Sequence, residues 1–203
     1  MYFNMKKAIF AGLALVSLLA FTSPTQLAIV PVELPGNQQI FWQELQKLCG
    51  NTYPGTLVTA LANDTTFTNK ALLLQIKACS DGQIRIPLVV GNDHSRTWIL
   101  TKNAYELVLR HEHRYRHGSA DPVSLYGGHT TNDGTEMIQF FPADRETPRV
   151  IPAGSGNIWW IELLPDKSLT YNLRRMAGER EVTLRFDLTK PVATPDAPWG
   201  WKD

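Results

Sequence analysis

Three of the five histidines fall within the eight residues Arg110-His111-Glu112-His113-Arg114-Tyr115-Arg116-His117, interleaved with three arginines. Imidazole is both a metal ligand and a proton carrier near neutral pH. Side chains at i and i+2 share one face of a strand, so His111 and His113 point the same way as Tyr105, Leu107 and Leu109. The leucines mark that face as inward. His129, beside Gly127-Gly128, is placed to approach from the next strand, and three neutral imidazoles can hold Zn²⁺ or Cu²⁺ with a position left for water. The same histidines have a purely structural use, hydrogen bonding to Asp121, Glu112 or backbone carbonyls, and a third use in acid–base or anion chemistry. Glu112 faces away from both imidazoles, which weakens a scheme of metal plus general base.

Aromatic residues supply a second candidate. Trp98 shares its strand face with Arg96 and Leu100, Trp160 with Ile158 and Glu162, and Trp159 takes the opposite face with Ile161 and Leu163. Six Trp in 203 residues can line a ligand cavity as well as fill a core. The predicted ligand-binding set is Trp98, Tyr105 and Trp160 as apolar walls, with His111 and His113 as the polar end. Asp93, His94 and Ser95 crowd one turn, where adjacent residues do not reach the geometry of a nucleophile, a base and its orienting acid. The sequence has no GxSxG, Walker loop, HExxH, CxxC or dinucleotide fingerprint, and no EF-hand spacing joins Asp121, Asp133 and Asp144. No reaction is specified.

Such side chains need a frame. Lys6 and Lys7 precede the apolar run 8–21, which Thr22-Ser23-Pro24 ends, and residues 1–23 read as a signal peptide. The run is shorter than the ~20 residues of a membrane span, an N-terminal anchor being the alternative. The expected address is secreted or periplasmic, with no stable membrane span after cleavage. In that oxidising setting Cys49 and Cys79 are expected to form a disulfide, with two buried thiols as the alternative. Loss of the leader takes the formal charge from +1 to −1, against electrostatic nucleic-acid binding.

Asn37 is the expected cap of a helix over 38–48, with Phe41, Leu45 and Leu48 on one face. From Tyr53 the apolar period changes to two, in about ten short runs separated by turn signals, the clearest being the hairpin at Asp81-Gly82. So many meandering strands with one wet face must close or split into two layers. Short loops favour closure. The expected fold is all-β, an antiparallel up-and-down barrel behind a short N-terminal helix. The domains are 24–190 for the barrel and 191–203 for a Pro/Trp-rich tail pinned by its indoles.

The stretch Phe41-Trp42-Gln43-Glu44-Leu45-Gln46-Lys47-Leu48-Cys49-Gly50-Asn51-Thr52-Tyr53-Pro54-Gly55 resembles the entry to calycin barrels, the lipocalin and nitrobindin-like group. There a helix and a Gly precede an aromatic, usually Trp, on the first strand; Tyr53 departs from this. The motifs Ile84-Arg85-Ile86-Pro87, Ser95-Arg96-Thr97-Trp98, His111-Glu112-His113-Arg114, Tyr126-Gly127-Gly128 and Phe141-Pro142-Ala143-Asp144 resemble secreted bacterial proteins without assigned function. The calycin resemblance implies a barrel that binds a small, partly apolar molecule without catalysis. Its nitrobindin-like branch implies a haem with one imidazole on the iron. The sequence requires no cofactor, and Zn, Cu and haem are the candidates it admits. A metal-dependent enzyme or haem protein, and a filled structural envelope barrel, are the alternative readings. Oligomeric state is not indicated.

Overall fold

The computed structural model describes residues 33–202, so the leader expected over 1–23 lies outside the described residues. Helix α1 spans Gly36–Gln46 and is capped at Pro35, two residues earlier than the Asn37 cap expected. The Asn37 side chain instead donates to the Gly134 carbonyl (3.0 Å). Phe41, Trp42 and Leu45 are buried, each contributing about 1.5–3 kcal/mol through the apolar surface it withdraws from water. Gly50, at φ 85°, turns the chain out of the helix.

Eleven strands follow: β1 (Thr52–Ala60), β2 (Leu72–Gln75), β3 (Ala78–Cys79), β4 (Gln83–Val90), β5 (Asp93–Lys102), β6 (Leu107–His113), β7 (Tyr126–His129), β8 (Ile138–Pro142), β9 (Asn157–Leu164), β10 (Ser168–Arg175) and β11 (Glu181–Asp187). A short helix α2 (Thr147–Val150) and a 3₁₀ turn (Pro152–Gly154) separate β8 from β9. Every pairing is antiparallel, in the order β7-β6-β5-β4-β2-β1-β11-β10-β9-β8, with β3 beside β4. The first and last strands of the meander pair with each other, Leu57 opposite Leu184. The result is a nearly closed all-β barrel of calycin-like shape, as the period-two pattern predicts.

Closure at the remaining seam depends on two glycines. Gly128 bridges Ala143, and the Asp144 N–H donates to the Gly127 carbonyl (3.2 Å). A Cβ on Gly127 would lie 1.9 Å from the Leu109 carbonyl oxygen, and one on Gly128 1.9 Å from that of Pro142. Only hydrogen fits there. Thr147 of α2 fastens the seam, its hydroxyl donating to the Gly127 carbonyl and accepting from the Gly127 N–H.

The inward residues of all the long strands form one core, including Ile84, Ile86, Leu100, Leu109, Phe141, Ile161 and Leu184. Helix α1 lies across the end where β5 finishes. Gln38 donates to Thr130 and Asn132 beyond β7, and the Lys102 ammonium sits 5.3 Å from the centre of the Trp42 ring. The Cys49–Cys79 disulfide ties the exit from α1 to β3, and by the chain-entropy argument such a closed loop stabilises the fold by roughly 3–4 kcal/mol.

The tail is held on the outside. Val192 bridges Thr52, the Trp199 N–H donates to the His94 carbonyl (3.1 Å), and Trp201 stacks under the Arg85 and Lys77 cations (5.1 and 5.0 Å). Beneath it on the outer face, Glu112 accepts from Arg85 (2.5 Å) and Arg114 (2.8 Å). No helix among the described residues is long and apolar enough to cross a membrane.

Candidate functional site

The barrel end opposite α1 opens into a cavity of about 260 Å³. Its inner wall is aromatic. Trp98 of β5 stacks on Tyr171 of β10 across the interior (centroids 3.9 Å apart, planes 14° apart). His111 of β6 lies between Tyr126 of β7 (4.8 Å, stacked) and Trp159 of β9 (5.0 Å, tilted). Strand alternation puts each there: Trp98 with Leu100, His111 with Leu109, Trp159 with Ile161, Tyr171 with Leu169, all of them buried.

Hydrogen bonds fix the state of His111. A carbonyl can only accept, so the contact from Nδ1 to the Tyr126 carbonyl (3.2 Å) places the proton on Nδ1. Nε2 is then a bare acceptor for the Tyr171 hydroxyl at 2.7 Å. Burial drives the His111 pKa down to about 3, against a smaller upward pull from that carbonyl. His113, two residues on, is held down to about 4, chiefly by burial and then by the Arg96 guanidinium; its Nε2 lies 3.1 Å from the Tyr126 hydroxyl. Burial also pushes the Tyr126 phenol up to about 12 and the Tyr171 phenol well above its ordinary value. At neutral pH this wall carries no charge.

Charge gathers at the opening instead. Arg96, Arg175 and Arg180 line the cavity, and no carboxylate does. Arg96 is paired with Asp93, and Arg175 Nε donates to the Asn157 side chain (2.9 Å). Arg180 has no ion pair among the described residues. Thr66 and Phe67, from the loop between β1 and β2, and Ile151 complete the rim.

Three expectations need correction. Tyr105 is not a wall of the cavity: the Asn103 carboxamide accepts from the Tyr105 and Glu106 N–H groups in a turn, β6 starts only at Leu107, and the phenol is 71% exposed. Trp160 faces outward against Phe140 (5.9 Å), and its neighbour Trp159 holds the inner position. His129 does not converge on the other imidazoles. It points away from the interior, its side chain 42% exposed and 4.0 Å from Glu106. Trp98, His111 and His113 do line the cavity, and Cys49 and Cys79 are paired.

Those placements bear on metal and haem. Among the described residues no group of three or more His, Cys, Asp or Glu side chains is arranged to hold a metal ion. Both ring nitrogens of His111 are already engaged, so ligation of iron or zinc through Nε2 would displace the Tyr171 hydroxyl. Sequence reasoning missed Tyr126, Trp159, Arg175 and Arg180 as site residues; Arg175 was accessible to it, since it continues the alternation Leu169, Tyr171, Leu173.

No family model matches the chain, and neither does any curated protein or solved structure. The fold and the cavity define it as an antiparallel up-and-down barrel with an aromatic-walled cavity at one end.

Proposed function

We propose that the barrel binds a small, partly apolar molecule in this cavity, without catalysis, outside the cytoplasm. The observation that carries the reading is a space of about 260 Å³ between Trp98, Trp159 and the His111–Tyr171 pair, open at one end. Ligand pockets run from roughly 300 to 1,000 Å³, so a volume just under that range suits a compact ligand of one ring or a short chain. A packed interior would favour a structural barrel. The wall suits the body of such a ligand, since the buried imidazole of His111 is uncharged and accepts from the Tyr171 hydroxyl. The disulfide suits an oxidising compartment.

The test is heteronuclear NMR with neutral probes, indole, benzamide and cyclohexanol, at millimolar concentration. Binding in the cavity shifts the indole N–H signals of Trp98 and Trp159. Thr66→Trp, which plugs the rim from a loop and leaves the core intact, abolishes the shifts, and Tyr105→Ala leaves them unchanged. If no probe moves those two signals, the reading is wrong.

A further inference from the structure

We infer that the ligand is an organic anion, a carboxylate carried on a planar or short aliphatic body, taken body-first with the charge left at the rim. This rests on the binding role proposed above and specifies its ligand class.

The cavity is graded along its axis. Its inner wall presents indole and phenol faces and neutral imidazoles, which suit an uncharged, flat body. The rim presents three guanidinium groups from different parts of the barrel: Arg96 on β5, Arg175 at the end of β10, and Arg180 in the hairpin before β11. The hairpin is braced by a backbone bond from the Arg175 N–H to the Arg180 carbonyl (2.9 Å), which keeps the two side chains on one edge of the opening.

Their charges are only partly matched by protein: Asp93 pairs with Arg96, and the guanidiniums of Arg175 and Arg180 are left for an anionic group. Arg175 has spent only Nε, on a neutral carboxamide, and Arg180 has no ion pair among the described residues. A guanidinium keeps a planar fork of donors for a carboxylate once Nε is used. Partly desolvated cations without partners are costly, and an anion drawn into the opening relieves that cost. Both deeper phenols also feel the Arg180 charge, so its field extends down the cavity.

Calorimetric or ligand-observed NMR titration of the full barrel decides the matter. The probes are benzoate, phenylacetate, indole-3-acetate and hexanoate, each beside its primary amide, with inorganic phosphate as a charge-only probe. The expected result is at least one acid binding tenfold or more tightly than its amide at low salt. Arg180→Gln lowers that ratio at least threefold. Arg175→Gln gives a second reading should the hairpin of the first variant be disturbed. Amides that bind as tightly as their acids, or a ratio indifferent to both variants, overturn the inference and leave the binding role standing. Phosphate binding as tightly as the acids also overturns it, because the body would then contribute nothing. If neither acids nor amides bind, the inference and the binding role fall together.

Discussion

Two histidines held neutral inside the barrel make its stability depend on pH in a calculable way. In the unfolded chain an imidazole titrates near 6.5; in the barrel His111 is held at about 3 and His113 at about 4. Above pH 6.5 both states are unprotonated and neither residue contributes. As the pH falls below 6.5 the unfolded chain takes up two protons that the native barrel refuses, so stability declines until the native values are reached. Between pH 7.5 and pH 5.0 each histidine accounts for about 2 kcal/mol, and the pair for about 4 kcal/mol, a large part of the stability of a domain this size. The lowered carboxyls of Asp93 and Asp144 act in the same sense but further down the scale: their contribution is present above the unfolded value near 4 and lost below it, so pH 5.0 isolates the imidazoles. Urea titrations with the disulfide intact, followed by tryptophan fluorescence at the two pH values, measure the difference. His113→Gln should halve it. A wild-type loss below about 1 kcal/mol, or an undiminished loss in His113→Gln, would refute the assignment of these groups as neutral and buried.

Two further predictions concern the frame. Gly128→Ala sets a methyl against the Pro142 carbonyl oxygen and should cost more than about 3 kcal/mol, while Gly36→Ala, where a Cβ meets nothing within 4 Å, stays within about 1 kcal/mol; melting temperatures of the two variants check this, and equal values would contradict it. Cys49→Ser with Cys79→Ser should remove about 3 kcal/mol, read as a lower urea midpoint that reducing agent no longer changes.

The strands were legible because their apolar residues repeat at two, and the thiol pair because export favours oxidation. The inner face of β6 was equally plain, since Leu107 and Leu109 leave little choice for His111 and His113. On β9 the same logic is ambiguous. Ile158 and Trp160 are apolar on the outer face, where Phe140 covers the indole, so alternation alone cannot say which tryptophan looks inward. Tyr105 misled because its side-chain period matches β6, whereas the Asn103 carboxamide ends that period in a turn. His129 failed on register: it lies opposite Val108, on the outer face of β6, while Tyr126 and Gly128 face the residues on the inner side. Arg180 sits in a hairpin, outside any repeat, and becomes a rim residue only when β10 and β11 pair.

Helix α1 lies across the barrel end opposite the cavity. On the proposed binding role, a ligand that passes Arg96 and Arg175 on the way in leaves by the same door. Loading and unloading are then a single reversible exchange with the surrounding fluid, set by how much solute is there and how long it lingers.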